Sequence, residues 1–327
     1  MPAHSMKPFA LILALALACT GCAGAPSASQ DSPAGDAQTA ESAAQPQATE
    51  SIAATDDSSQ VRVSYLGPEG TYTQEACGVF FGGEGTYLPQ QDVMASVQAL
   101  VDGEVDYAVI PQENAIGGPI AEYLDEVVGR EDVRVAGEVE LPISQNLLAK
   151  PGTTLGDIKV VYSHKQGIAQ GKAWLEEHLP NAQVEEVPST AEGARMVSEA
   201  QDNTSAAIGA VAAAEVYGLE VVADNIQQSD TNKTRFYVLA LGQPDHEASD
   251  RMAFVASGVV GDLAELLTSI EAQGLEVVAV HDRPRKTELG SYSYLIECAG
   301  GSYDTFEAVV QENESFDFRY LGSFPVR

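Results

Sequence analysis

From Val61 onward the chain alternates short apolar runs with stretches of helical spacing, and this alternation limits the fold more than any other feature. Val61-Arg62-Val63-Ser64-Tyr65 has the period of two expected for a strand and stops at Gly67-Pro68-Glu69-Gly70. A helix is expected from about Thr73, and Val93, Val97 and Leu100 recur at helical spacing until Asp102-Gly103. Tyr107 to Ile110 reads as a short apolar strand, and Gly117-Gly118-Pro119 as the opening of a helix with proline at its first position. Strands near 134–149 and 158–162, a helix through Trp174, and strands at Ala206-Ala207-Ile208 and Phe236 to Leu239 continue the series. Ser189-Thr190-Ala191-Glu192 has the form of a capping box ahead of the helix carrying Ala194 and Val197. Strands alternating with helices imply an α/β domain on a parallel sheet over residues 61–242.

The character changes after Gly242-Gln243-Pro244-Asp245. Met252 to Val255 reads as a strand, and Leu263, Leu266, Leu267 and Ile270 line one helical face. Leu275 to Val280 and Tyr292 to Ile296 read as strands, Phe306 to Val310 as helical, and Phe318 to Phe324 as a last strand. A βαββαβ order within residues 250–327 implies a ferredoxin-like unit.

The first sixty residues belong to neither domain. Lys7 and the apolar run Phe9 to Ala18, too short to span a bilayer, have the form of a signal peptide. Thr20-Gly21-Cys22 resembles a bacterial lipobox, which implies a lipoprotein signal peptide over 1–22 with lipid on Cys22, although Cys19 stands where leucine is usual. Residues 23–60 are mostly Ala, Ser, Gln, Pro, Asp and Glu, a composition that reads as a disordered tether. The protein is therefore expected outside the cell, held to the outer face of the cell membrane by lipid alone. Cys77 and Cys298, in different domains, suggest neither a disulfide framework nor a metal site. A net charge of −31 argues against nucleic acid as a partner, but a local pocket can still take an anion because surface charge is screened.

Several loops share one design, in which a strand ends, small or hydroxyl residues follow and a helix begins. Thr71-Tyr72-Thr73, Glu113-Asn114, Ser163-His164 and Ser189-Thr190 are the candidates. Taken alone, each suits a plain helix cap better than a carboxylate site built on free backbone N–H groups, although loops at strand ends are also where such sheets bind ligands.

The strings themselves carry a resemblance. Tyr65 to Thr73, Pro111-Gln112-Glu113-Asn114 before Gly118, Leu141-Pro142-Ile143, Ser163-His164-Lys165-Gln166 with Gln170, Ser189 to Ala194, and Asn232-Lys233-Thr234-Arg235-Phe236 resemble, in order, the motifs of prephenate dehydratases. That resemblance implies a two-lobed catalytic domain, similar in architecture to a type II periplasmic binding protein, that turns prephenate into phenylpyruvate with no cofactor or metal. It points to Thr234 as the catalytic hydroxyl. Thr71, Thr73, Glu113, Asn114, Ser163, His164, Ser189, Thr190, Arg235 and Phe236 become substrate-binding candidates, with His164 shaping the site. Arg235 follows Thr234, so on a strand it faces the opposite way and suits bracing the domain as well as holding substrate.

Beyond residue 250 the resemblance extends to the ACT domain that family often carries. Gly261, Leu263, Arg283 and Pro284 fall on its motifs and become candidate regulatory residues for phenylalanine, and the pairing of such domains implies a homodimer or homotetramer. His281-Asp282 replace the acidic residue and serine usual before Arg283. Ala115 replaces a hydroxyl residue expected near the cleft, Gln145 stands where histidine is common, and Lys165 replaces a proline, either adding a cation or facing solvent. A second reading is a non-catalytic ligand-binding lipoprotein on the same fold, which would have no need of the Thr-Arg-Phe string.

Overall fold

The computed structural model describes residues 60–327. The expected signal peptide, Cys22 and all of the tether except Gln60 lie outside the described residues. Among the described residues no helix is long and apolar enough to cross a membrane.

The first lobe runs β1 (Arg62–Leu66), α1 (Tyr72–Phe81), β2 (Thr86–Gln90), α2 (Val93–Val101), β3 (Tyr107–Asn114), β4 (Gly118–Pro119), α3 (Ala121–Gly129) and β5 (Val133–Pro142). The second lobe follows with β6 (Asn146–Ala149), β7 (Val160–Ser163), α4 (Lys165–His178), β8 (Gln183–Glu186) and α5 (Thr190–Glu199). It closes with β9 (Ser205–Gly209), α6 (Val211–Tyr217) and β10 (Glu220–Ala223), after which β11 (Lys233–Leu241) returns to the first lobe. The two sheets are ordered β2-β1-β3-β11-β5 and β10-β6-β9-β7-β8. Every residue of β9 is buried, as are Ala108 to Gln112 of β3, which is why these strands read as continuous apolar runs rather than alternating ones.

The expectation of a parallel sheet needs correction. β1 is parallel to β2 and β3, and β7 to β8 and β9. β11, however, is antiparallel to both β3 and β5, and β6 is antiparallel to β9 and β10. The chain leaves the first lobe along β5 and comes back along β11, so these neighbours must point opposite ways.

Gly117-Gly118-Pro119 does not open a helix. The Asn114 carboxamide oxygen accepts from the N–H groups of Ile116 and Gly117, and Gly118, at φ 76°, turns the chain back so that Gly118 and Pro119 pair with Asn114 and Glu113. Helix α3 starts two residues later, at Ala121.

The C-terminal unit comprises β12 (Arg251–Val259), α7 (Leu263–Ala272), β13 (Glu276–Pro284), β14 (Ser291–Ala299), α8 (Tyr303–Glu312) and β15 (Asp317–Phe324). Its antiparallel sheet, ordered β13-β14-β12-β15, has the βαββαβ arrangement expected from sequence. Alternation along β12 decides what each face covers. Met252, Phe254 and Ala256 pack with Leu266 and Ile270 of α7 and with Phe306 and Val309 of α8. Ala253 and Val255, with Leu295, Leu321 and Phe324, join the core of the first lobe beside Val97, Leu100 and Leu124. The last residues extend this junction: Glu138 donates its N–H to Pro325 (3.0 Å) and accepts that of Arg327 (2.9 Å), which occupies the free edge of β5.

Candidate active site

A cleft of about 360 Å³ lies between the two lobes. Of the residues singled out in the sequence, it is lined by Thr71, Thr73, Asn114, His164, Ser189, Thr190, Thr234 and Phe236. They come from four strand-end loops and from β11, and the lobes bring them together although they are up to 165 residues apart (Thr71 to Phe236).

The centre of this wall is a cross-strand pair, Thr234 of β11 opposite Asn114 of β3. The Asn114 amide nitrogen donates to Thr234 Oγ1 (2.9 Å) and to Asn232 Oδ1 (2.8 Å). The Asn114 oxygen is already held by the two N–H groups of the turn, so its amide cannot flip without breaking that turn. Thr234 Oγ1 must therefore accept, and its own O–H proton is left free in the cleft that Thr234 lines. Thr234 is 8% exposed, so this donor is largely shielded from water.

Three helices present their first turns to the same space. Thr71 is the N-cap of α1, but its hydroxyl donates to the Leu66 carbonyl (3.1 Å) and leaves the helix N–H groups uncapped. His164 caps α4, its Nδ1 accepting from Gln166 N–H at 3.4 Å. Burial, reinforced by Lys165, holds this imidazole below its usual range, in keeping with the neutral ring that accepting requires. Ser189 caps α5, accepting from Glu192 N–H (3.0 Å). The expected capping box is only half formed there, because the Glu192 carboxylate turns instead to Arg195 (2.7 Å).

Among the described residues no lysine or arginine lines the cleft, so the attraction these residues offer an anion comes from neutral donors and helix N-termini. Among the described residues, Gln145 Oε1 and Asn232 Nδ2 are buried in its wall without a protein hydrogen-bond partner. Gln145 otherwise donates to Gln170 Oε1 (3.0 Å). Among the described residues no group of His, Cys, Asp and Glu is placed to hold a metal.

Three sequence-based substrate contacts lie elsewhere. Ser163 is fully buried beneath the cleft, where its hydroxyl donates to the Ile208 carbonyl (2.8 Å) and ties β7 to β9. Glu113 and Arg235 face away from the cleft and pair with one another (3.1 Å). Alternation along β11 is the cause: Thr234 and Phe236 face the cleft, whereas Arg235 points to the junction with the C-terminal unit. There Arg235 donates to both oxygens of Glu138 (2.9 and 2.8 Å) and to Glu297. Burial and Glu297 push the Glu138 carboxyl upward, against the hydrogen bonds from Arg235. Ala115 and Lys165 are both exposed and outside the cleft wall, so neither the lost hydroxyl nor the added cation reaches the site.

The candidate regulatory residues do not form one pocket. Leu263 lines a surface hollow with Val260, Val280, Asp282, Tyr292 and Tyr294, and Pro284 lines a different one with the loop after β13. Gly261 lies in a short turn ahead of α7, and Arg283 is drawn away to Asp125 of α3 (2.9 Å). His281 is buried against Glu297 (3.9 Å), with its Nε2 unpartnered.

Sequence reasoning missed Gln166, Gln170, Asn232, Tyr123 and Ile143 as lining residues. Gln166 and Gln170 are one helical turn apart in the stretch that begins at Ser163-His164, so a shared face follows from their spacing. Asn232 opens the Asn232 to Phe236 string. Tyr123 arrives from α3 with no local signal.

Residues 63–244 match the family model for prephenate dehydratase. A bifunctional chorismate mutase/prephenate dehydratase from Neisseria gonorrhoeae is 35% identical over 269 residues, spanning 80% of this chain and 74% of that protein. A prephenate dehydratase from Mycobacterium ulcerans is 32% identical over 282 residues, spanning 81% of this chain and 88% of that protein. The solved prephenate dehydratase from Arthrobacter aurescens, in complex with L-Phe, aligns with a TM-score of 0.71 at 29% identity, covering 81% of this chain and 90% of that one.

Proposed function

The chain belongs to the prephenate dehydratase family, and on that premise we propose that its cleft converts prephenate to phenylpyruvate, the reaction of a carbon–oxygen lyase. The bond from the ring to its carboxylate breaks and releases carbon dioxide, while the electron pair enters the ring. The carbon–oxygen bond on the opposite side breaks with its pair going to oxygen, which takes up a proton and leaves as water. Aromatisation drives both events, so the protein has only to hold a dianion in position and assist the departing oxygen.

Thr234 is the residue placed for that assistance. Its O–H proton is free because Asn114 occupies its acceptor side, and this single observation carries the proposal. Threonine is a weak acid, so its contribution is a pre-aimed hydrogen bond from a largely buried hydroxyl, with the transferred proton regained from solvent. The substrate carboxylates would meet the first turns of α1, α4 and α5. A hydrogen bond to a charged group contributes about 1.5–3 kcal/mol, against about 0.3–1 kcal/mol for a helix end, so the individual N–H and O–H donors outweigh the dipoles.

The test is direct. The chain is incubated with prephenate at neutral pH and phenylpyruvate is followed by absorbance. Formation well above the spontaneous rate is expected, and a rate equal to the blank would overturn the assignment.

Residues 250–327 we read as an ACT regulatory domain, supported by their strand order and by the L-Phe bound in the Arthrobacter relative. Phenylalanine added to the same assay is expected to slow turnover. Thr20-Gly21-Cys22 supports an exported form carrying lipid on Cys22, and labelling with a fatty acid tests it, since an unlabelled mature protein removes the anchor.

A further inference from the structure

The cross-strand pair at the centre of the cleft has a third member. Asn232 immediately precedes β11, and its carbonyl accepts from the N–H of Ile143, one residue beyond the end of β5 (2.9 Å). Its side chain is 2% exposed. The Asn114 amide nitrogen spends one hydrogen on Thr234 Oγ1 (2.9 Å) and the other on Asn232 Oδ1 (2.8 Å). The turn after β3 decides which atoms face which. The N–H groups of Ile116 and Gly117 hold the Asn114 oxygen (3.1 and 2.8 Å), so the Asn114 nitrogen must face β11. Asn232 can answer that nitrogen only with its oxygen.

The two hydrogens of a planar amide nitrogen keep a fixed angle to one another, so the acceptor of one sets the direction of the other. A competing acceptor lies close by, since the Lys233 carbonyl stands 3.2 Å from the same nitrogen. Without Asn232 Oδ1 the second hydrogen would turn to that carbonyl and carry the first away from Thr234 Oγ1. The Thr234 hydroxyl would then be free to rotate its proton out of the cleft. Asparagine is a poor choice here for packing alone. Its Nδ2 is buried with no hydrogen-bond partner among the described residues, which lowers stability, and a smaller or apolar side chain would leave no such donor. What the asparagine supplies is the oxygen that Asn114 needs.

We infer that Asn232 is a positioning residue for the dehydratase reaction: it fixes the Asn114 amide and, through that amide, keeps the Thr234 O–H proton directed at the leaving oxygen. The inference rests on the assignment of Thr234 proposed above. Asn232 itself transfers no proton and needs no contact with the substrate. Its effect therefore falls on the departure of the oxygen and not on the affinity for prephenate. Catalytic geometry tolerates little error, and a misplacement of about 1 Å can lower a rate by roughly a hundred-fold.

The experiment is a double-substitution cycle in the full chain, with kcat, KM and thermal midpoint measured for each protein. Asn232→Ala removes the oxygen that holds the Asn114 amide, and Thr234→Ala removes the hydroxyl that the amide directs. Asn232→Ala is expected to lower kcat by about ten-fold with KM changed by less than about two-fold. In the Thr234→Ala background the same substitution is expected to lower kcat by less than about two-fold more, because Asn232 acts only through that hydroxyl. An Asn232→Ala protein with unaltered kcat overturns the inference. So does a loss that multiplies with that of Thr234→Ala, or one that falls on KM alone, which would place Asn232 in substrate binding instead. If Asn232→Ala fails to fold, Asn232→Ser, which keeps a polar group but withdraws it from Asn114, is read by the same criteria. A wild-type chain that forms no phenylpyruvate overturns the function and this inference with it, whereas an active wild type beside an equally active Asn232→Ala overturns the inference alone.

Discussion

The two faces of β11 solve opposite problems with adjacent residues. On the cleft side Thr234 and Phe236 look into a space whose wall, among the described residues, has no lysine or arginine, and where Gln145 and Asn232 each leave a buried polar atom without a protein partner. On the junction side Arg235 sits among Glu113, Glu138 and Glu297, with Arg251 close by at 3.6 Å from Glu138. Charge is concentrated where the protein meets itself, and the space open to a ligand is lined by neutral donors and acceptors. A buried polar group without a partner costs about 1–3 kcal/mol, so the cleft carries a standing penalty that a bound substrate can relieve. The junction leaves polar atoms open as well, at Gln112 Oε1, Arg251 Nη1 and His281 Nε2, so what separates the two faces is charge, and the junction charges serve to hold position.

The comparison breaks most readily at Glu138. Glu138→Ala removes the carboxylate that takes two N–H groups of Arg235 and leaves Arg235 and Arg251 sharing Glu113 and Glu297 in the buried junction. A loss of about 3–5 kcal/mol in unfolding free energy is expected from denaturant titration, and a loss under about 1 kcal/mol would show that the junction charges hold nothing together.

On the cleft side the same scale of effect should fall on rate, not stability. Thr234→Ala is expected to lower kcat by about a hundred- to a thousand-fold with the melting temperature little changed, as for loss of one aimed donor. Asn114→Asp sharpens the point. A carboxylate there would draw the Thr234 proton toward itself and away from the cleft, and a fall in kcat of about ten- to a hundred-fold is expected. An active Asn114→Asp protein would mean that the direction of the Thr234 hydroxyl is immaterial.

A smaller effect separates the two regions by pH. Burial holds the His281 imidazole below its ordinary value of 6.5, opposed by Glu297 and Glu113, aided by Arg235, and opposed again by Asp282. A histidine depressed in the folded state binds its proton less readily than in the unfolded chain. Its contribution to stability is therefore complete above the ordinary value and is lost as the pH falls through the folded one. Thermal melts from pH 7 downward should show a steeper decline for the wild type than for His281→Gln, and parallel declines would remove His281 from the acid response.

The smallest effect expected is at Lys165, which is exposed and outside the cleft wall. Lys165→Ala should change stability by less than about 0.5 kcal/mol and leave kcat/KM for the dianion within about two-fold. A large rise in KM would show that the site borrows a cation after all.

The sequence by itself determined the principal strands and helices of the first domain, the βαββαβ unit and the strings that meet at the cleft, because periodicity, helix caps and turn residues are local properties of the chain; the short strands β2, β8 and β10 and helix α6 were not read from it. The paired Gln166 and Gln170 were legible in the same local way. Tertiary structure alone decided that β11 returns antiparallel beside β5, since strand direction depends on where the chain goes between the lobes. It also decided the division of labour inside Asn232 to Phe236. Alternation required Arg235 to face away from Thr234, but what waited on that side was set by Glu297, which is 62 residues further along and carried there by a different sheet. Nor could local spacing show that Ser163 is sealed beneath the cleft, that Arg283 is drawn to Asp125, or that Ala115 lies outside the wall. Burial and long-range pairing are properties of packed surfaces, and they exist only once the lobes and the C-terminal sheet have met.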